Sequence, residues 1–266
     1  VLYVAVRAAR KAGDLIARAF DERDHVKIHQ KTKRDFVTEV DQRAEAVIVR
    51  EIQRHYPNHG IVAEEMAEQL NPAADIQWYI DPLDGTMNFI HGYPHFAVSI
   101  AAWKHGKPLL AVIHDPLRNE TFEAKNGGGA FLNRQRLRVT NTEQIDHALF
   151  ASGLPSYRKE QIDVFQQRMD ACMRHCDSYR RGGSAALDLA YVAAGRLDAY
   201  WEAGLCSWDI AAGYLLVQEA GGMATGLKGE SLDLNQGDIL ATNTRLHQGF
   251  IQLLKVSVTK SQETRA

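Results

Sequence analysis

Between Leu2 and Phe20, apolar residues Val4, Ala5, Ala8, Ala12, Leu15, Ile16 and Ala19 recur on one face, with Arg7, Arg10, Lys11, Asp14 and Arg18 between them. That spacing predicts an amphipathic helix. The pattern breaks over residues 21–34, which are polar and basic (His25, Lys27, His29, Lys31, Lys33, Arg34) and read as a loop or an edge hairpin. A cation-rich segment of this kind is also able to close over an anionic substrate. A second helix is expected to open within Asp35-Phe36-Val37-Thr38-Glu39-Val40-Asp41 and to run to about His55 on Ala44, Val47, Ile48 and Ile52. Thr38 and Asp41 have the spacing of an N-cap and its N3 acid. Gly60–Ala63 reads as a short strand ending in Glu64-Glu65, and Met66–Asp75 as a surface loop. Trp78, Tyr79 and Ile80 favour another strand. Pro82, with fixed φ and no N–H, is expected to end it at Asp81.

His95–Trp103 and Pro108–Ile113 alternate or run apolar on either side of Lys104-His105-Gly106-Lys107, a hairpin pattern. Asn119–Lys125 and Gly129–Leu132 add strands around Asn126-Gly127-Gly128, which makes the middle of the chain a largely antiparallel sheet. A second half begins near residue 140. It carries a helix over Gln161–Cys176, a loop at Arg180-Arg181-Gly182-Gly183-Ser184, and an apolar helix over Ala185–Ala194 that Gly195 stops. A strand at Leu197–Trp201 ends in Glu202. Asp209 is placed to open a helix over Ile210–Glu219, which Gly221-Gly222 ends. A strand at Ile239–Ala241 and a helix over Leu246–Leu254 follow, and the polar tail Thr259–Ala266 is expected to fray. With 266 residues, 45% of them hydrophobic, the chain suits a single domain of two packed halves, roughly 1–140 and 141–266.

Charge narrows the classes of function. Lys+Arg 31 against Asp+Glu 33 gives a formal charge of −2, so no overall basic field recruits nucleic acid, and direct nucleic-acid binding is not expected. No apolar run of membrane-spanning length is present, and the first helix is too charged for a signal peptide. The chain begins at Val1 and not at a Met, so a few residues upstream are expected to be missing from it. Three cysteines (Cys172, Cys176, Cys206) are an odd number, which a reduced cytoplasmic protein explains most simply. Cys172 and Cys176 flank His175 on a helix, but no second Cys or His pair at zinc-ligand spacing follows, and core or partner-surface thiols are the simpler reading.

The chemistry resides in acids at the ends of elements. Asp81 and Asp84 straddle Pro82-Leu83, Gly85 permits a tight turn, and Thr86 is able to cap a short helix. One isolated Asp-x-x-Asp reads more simply as ordinary loop acids. Here, however, Asp41, Glu64, Glu202 and Asp209 also fall at element ends. Carboxylate oxygens suit magnesium, and free N–H groups at a helix start suit phosphate. Two such ions set close together assist phosphoryl transfer.

These motifs resemble the inositol monophosphatase family, and within it the bacterial inositol-1-monophosphatase type. The matching stretches are Trp78–Phe89 with Pro94, Val98, Ser99 and Ile100, then Trp208-Asp209-Ile210-Ala211-Ala212-Gly213 through Glu219-Ala220-Gly221-Gly222. Asp35–Asp41, Glu64-Glu65 and Gly183-Ser184-Ala185 match as well. The resemblance implies an α+β fold, a layered αβαβα sandwich, commonly homodimeric. It also implies Mg2+, two or three ions per site, held by Glu64, Asp81, the Leu83 carbonyl, Asp84 and Asp209, with inhibition by lithium. Asp41 and Thr86 would orient the attacking water, and the backbone of Gly85 and Thr86 would receive the phosphate. Gly183, Ser184, Ala185 and Glu202 would line the polyol side, with Arg180 a weaker candidate and Glu65 lying behind the metal ligands. The implied reaction is hydrolysis of inositol monophosphate, or a similar polyol or sugar phosphate, by direct attack of metal-activated water.

Departures from the family pattern fall around the pocket. Met87 stands where a second Thr is usual, Ala63 and Met66 flank the Glu pair, and Cys206 stands where some animal members have His. None removes an implied ligand. A haloacid-dehalogenase-type phosphatase would need one residue between its two acids, whereas here there are two. A fructose-1,6-bisphosphatase, a nucleotide 3′-phosphatase or another sugar phosphatase shares the metal logic, although the short loops offer no base-stacking platform. A third reading comes from another class: bacterial members of this type are associated with ribosomal-RNA transcription antitermination, which implies a protein-binding role with catalysis incidental.

Overall fold

The computed structural model describes residues 1–23, 26, 28–32, 35–154 and 161–255, with the backbone alone described at 28–32 and 35–37. His25, Lys27, Lys33, Arg34 and the tail from Thr259 lie outside the described residues. The chain opens with helix α1 (Leu2–Asp21), followed by hairpin strands β1 (Ile28–Thr32) and β2 (Asp35–Thr38) and by helix α2 (Glu39–His55). Next come β3 (Gly60–Ala63), β4 (Ile76–Asp84), the short helix α3 (Thr86–Ile90), β5 (Ala97–Lys104), β6 (Lys107–Asp115), β7 (Glu120–Lys125), β8 (Gly129–Leu132) and β9 (Gln135–Arg136). Strands β3 to β9 form one sheet in chain order, antiparallel except for the β3–β4 pair.

The second half alternates strand and helix: β10 (Leu149–Ser152), α4 (Ile162–His175), β11 (Ser178–Arg180), α5 (Ala185–Ala193), β12 (Ala199–Glu202) and α6 (Ser207–Glu219). It closes with β13 (Met223–Thr225), β14 (Ile239–Thr242) and α7 (His247–Leu254). The five strands pair in the order β11-β10-β12-β14-β13, parallel through β12 and antiparallel beyond it.

The period-two alternation of the strands sorts the side chains into layers. From the seven-stranded sheet, Trp78, Ile80, Val98, Ile100 and Val112 pack with Ala8, Ile16, Ile48 and Ile52 of α1 and α2. The opposite face presents Ala97, Ala101, Trp103, Ala111 and Ile113 to α5 and α6, where Leu189, Ile210 and Leu216 meet them. Tyr200 of β12 reaches the same central layer, whereas its neighbours Ala199 and Trp201 point outward to α4 and α7. Each fully buried aliphatic side chain of this kind is worth about 1.5–3 kcal/mol. The architecture is therefore αβαβα, with α5 and α6 as the middle layer.

Several boundaries differ from the sequence expectation. Strand β4 does not stop at Asp81; it continues through Pro82 to Asp84. The proline is tolerated because the ladder is irregular there: Asp81 pairs Ser99 and Asp84 pairs Ala97, so three steps on β4 oppose two on β5. Helix α2 starts at Glu39, because Asp35–Thr38 is strand β2. Asp209 is the third residue of α6 and not its opener, since Ser207 starts the helix. Strands β10, β11 and β13 carry no clear signal in the sequence pattern.

Candidate active site

The bulge at the end of β4 aims its acids. The Leu83 N–H donates to Asp81 Oδ1 at 2.9 Å, which folds the Asp81 carboxylate over the irregular segment. Gly85 then turns the chain at φ 102°. A Cβ there would sit 3.0 Å from the His95 carbonyl oxygen and 3.1 Å from the Phe96 Cβ, so glycine is required both for φ and for space. Gly85 itself is the N-cap residue of α3, and Thr86 does not cap it. The Thr86 hydroxyl instead lies 2.9 Å from Asp41 Oδ1 and 3.1 Å from the Leu83 carbonyl oxygen, two acceptors that compete for its one proton.

Asp41 is held by its own helix. Its Oδ2 accepts the Thr38 N–H at 2.9 Å and the Thr38 hydroxyl at 2.5 Å, while Thr38 Oγ1 accepts the Val40 N–H. The capping pattern read from the sequence is thus formed, and the free oxygen of Asp41 is left facing Thr86. Burial pushes the Asp41 carboxyl above the usual carboxylate range, against the hydrogen bonds from Thr38 and Thr86. The side chain of Asp35 lies outside the described residues.

Asp84 joins the two halves. Its Oδ2 accepts the Ser184 hydroxyl at 2.5 Å and the Ala186 N–H at 2.7 Å, at the N-terminus of α5. Asp209 reaches the same space from α6, its Oδ2 accepting the Cys206 N–H at 2.7 Å. Glu64 arrives from the end of β3, where its N–H donates to the Ile80 carbonyl. These residues open on one cleft of about 460 Å³. Its near wall is Glu64, Asp81, Leu83, Asp84, Gly85 and Thr86; its far wall is Gly183, Ser184, Ala185, Glu202 and Asp209. The sequence-predicted residues from six segments therefore meet, with Asp41 one hydrogen bond behind Thr86.

Electrostatics make this cleft costly to hold. Burial first, and then the charges of Glu64, Asp84 and Asp209, push Asp81 well above its ordinary range. Burial, followed by Asp84 and Glu64, does the same for Asp209. Burial raises Asp84 to about 6 despite hydrogen bonds from Ser184, Ala186 and Ala185. Burial also raises Glu202 to about 7, against the Tyr200 hydroxyl that donates to its Oε2 at 2.5 Å. Among the described residues no three of these side chains are drawn together tightly enough to form a finished ion site. The donor set is nevertheless all oxygen, four carboxylates and the Leu83 carbonyl, which is the set that magnesium favours, and a divalent cation would relieve the repulsion.

One sequence expectation needs correction. Arg180 is the last residue of β11 and is exposed, its Nη1 donating to the Tyr179 carbonyl. Arg181, one residue on, lines the cleft instead. Successive residues at a strand end point to opposite sides, so a single residue decides which arginine faces the acids. Glu65, expected behind the metal ligands, stands outside the cleft lining, its N–H donating to Glu45 Oε2 at 2.7 Å. Sequence reasoning missed Arg181, Gly153 and Asp188. For Asp188 a signal was present: it follows Ser184 by four residues on a helix, and so shares its face. Met87 and Cys206, the departures noted above, both line the cleft. Burial raises the thiols of Cys172 to about 12 and Cys176 to about 11, which makes them unreactive packing groups. A larger open cavity of about 600 Å³ lies between α1 and α2, but its Lys11, Arg18 and Arg43 are interleaved with Asp14, Glu22 and Glu39 and gather no single charge.

Comparison with known proteins extends this geometry to a family. The sequence model of the inositol monophosphatase family matches residues 1–259. Nus factor SuhB of Escherichia coli K12 is 48% identical over 251 residues, covering 94% of each chain. The crystal structure of extragenic suppressor protein suhB from Bartonella henselae superposes with a TM-score of 0.93 at 37% identity, over 97% of this chain and 99% of that one. Inositol monophosphatase from Anabaena superposes with a TM-score of 0.86 at 38% identity, over 95% and 94% of the two chains.

Proposed function

The chain belongs to the inositol monophosphatase family, and from that premise we propose that it hydrolyses the phosphomonoester of inositol monophosphate, or of a similar polyol or sugar, with magnesium. The observation that carries this reading is the cleft itself: Glu64, Asp81, Asp84 and Asp209, distant in sequence, line one space opposite Ser184 and Glu202. Glu64, Asp81, Asp84, Asp209 and the Leu83 carbonyl would hold two or three Mg2+. Bound there, the ions supply charge neutralisation at the phosphoryl oxygens and the leaving oxygen, and they lower the pKa of a water.

The chain's own residues do the rest. Thr86 and Asp41 orient the water for in-line attack, because the Thr86 hydroxyl that contacts it is fixed 2.9 Å from Asp41 Oδ1. Asp41 in turn is fixed by Thr38, so the pair is pre-organised before substrate arrives. The backbone at Gly85 and Thr86 receives the phosphate. Arg181 lines the cleft beside the polyol side and adds positive charge to a site rich in acids. No side chain forms a covalent bond to phosphorus in this scheme.

Phosphate release from inositol 1-phosphate, assayed with magnesium and then with lithium, tests the proposal. Asp84→Asn and Asp209→Asn should each cut kcat by about 10²-fold or more, on the scale of lost electrostatic stabilisation, with the fold retained. Near-normal turnover at saturating magnesium would refute the assignment. A second reading is favoured by a relative: the 48% identical protein of Escherichia coli is a Nus factor. The same Asp84→Asn variant separates the two. If it still complements a growth defect caused by loss of the protein, a partner-binding role in transcription antitermination dominates; if it does not, catalysis does.

A further inference from the structure

Deep on the far wall of the cleft, beyond the residues assigned above, sits a further carboxyl group, with the Arg181 guanidinium near enough to act on it by charge. Asp188 is only 4% exposed, lines the cleft, and has no hydrogen bond to its side chain among the described residues. It stands four residues after Ser184 on α5, hence one turn behind Ser184 and Ala185 on the same face. From there its carboxyl borders the open cleft, where a ligand hydroxyl can reach it.

The surrounding backbone is shaped to keep this carboxyl clear. A Cβ at Gly182 would fall 2.9 Å from Asp188 Oδ1 and 2.6 Å from the buried His95 Nε2. A Cβ at Gly153 would overlap the Glu202 carboxylate. Two glycines from separate loops thus leave room for two carboxyl groups on one side of the cleft. Asn88 holds the Gly182 loop in place, its Nδ2 donating to the Gly182 carbonyl at 3.0 Å and the His95 carbonyl at 2.6 Å. Burial, then the charges of Glu202 and Asp84, push Asp188 well above the usual carboxylate range, against the Arg181 guanidinium.

We propose that Asp188 is a second hydroxyl-binding carboxyl, acting beside Glu202 to grip two hydroxyls of the alcohol part of the substrate. The ester selected is then a phosphate of a polyol or sugar, since a simple alkyl or aryl phosphate brings these two carboxyls no hydroxyl to bind. A site built to hydrogen-bond a substrate hydroxyl discriminates strongly against an analogue that lacks it. This inference rests on the phosphatase reading and names the group that would give it substrate selectivity.

The test compares inositol 1-phosphate with p-nitrophenyl phosphate for wild type, Asp188→Ala and Asp188→Asn, with thermal melting to confirm that each variant folds. Asp188→Ala should lower the ratio of the two kcat/KM values by about tenfold or more, largely through KM for the inositol ester, and Asp188→Asn should recover part of it. An unchanged ratio would overturn the proposal, because a merely structural role affects both esters alike. If wild type turns over neither ester, the phosphatase reading fails, and calorimetry with inositol 1-phosphate decides the matter. Binding weakened about tenfold by Asp188→Ala, a free-energy change of about 1.4 kcal/mol, would support the role of Asp188, whereas equal affinities, or no binding to wild type, would overturn it.

Discussion

At the scale of single residues the cleft is a set of carboxyl groups that resist ionisation. Asp84 sits at about 6 and Glu202 at about 7, both above the values of an unfolded chain, because burial disfavours their charged forms. A group whose carboxyl pKa is raised on folding binds more protons in the native state than in the unfolded one. Stability therefore falls as pH rises from the unfolded value, near 4, through the folded one, and it is flat above. In chelator, the protein should lose thermal stability between about pH 4.5 and pH 7. Magnesium competes with the proton on Asp84, so the rise in Tm it gives should be larger at pH 7.5 than at pH 5.5. Melting curves at the two pH values, with and without magnesium, check this; an equal rise at both would show that Asp84 is not among the groups that bind it.

At the scale of elements, the turn between β4 and α3 sets the geometry. Gly85 occupies φ 102° with the His95 carbonyl and Phe96 packed against it. Gly85→Ala should cost about 1–2 kcal/mol for the left-handed backbone alone, with crowding added. It should also lower phosphatase activity well beyond the loss of folded protein, because Asp84 and Thr86 flank the turn. Urea unfolding and specific activity measured on the same preparation separate the two effects; full activity per folded molecule would count against the turn as the organiser of the site.

Elements were also where sequence pattern worked unevenly. The seam of Val4, Ala8, Ala12 and Ile16 is long and amphipathic, and α1 formed on it as its spacing predicts. The Thr38–Asp41 capping pair was visible for the same reason, since its bonds are local. Strands β10, β11 and β13 are three or four residues long and are held by neighbours far away in sequence, so no local period marks them. Pro82 signalled an end to β4, but pairing with β5 carries the strand on, with one extra residue of β4 taken up in a bulge. The choice between Arg180 and Arg181 depended on the register of β11, which no short window contains. The acids at element ends were legible because strand ends and helix starts leave a mark in the sequence; the depth of Asp188 was not, because it depends on how α5 packs.

At the scale of the molecule, the cleft lies where the two sheets approach each other across α5 and α6. Asp84 comes from the seven-stranded sheet and bonds to the N-terminus of α5, whereas Asp209 comes from α6, and the two carboxyls repel one another across the cleft. Cations bound there would tie the two halves through charge as the middle helix layer already ties them through packing. The most direct measurement is anomalous diffraction from crystals soaked in manganese, which substitutes for magnesium in oxygen-ligand sites. The account predicts peaks within about 2.0–2.5 Å of carboxylate oxygens of Glu64, Asp81, Asp84 and Asp209. Saturating manganese that leaves this cleft without a peak, or places every peak elsewhere on the protein, would contradict it.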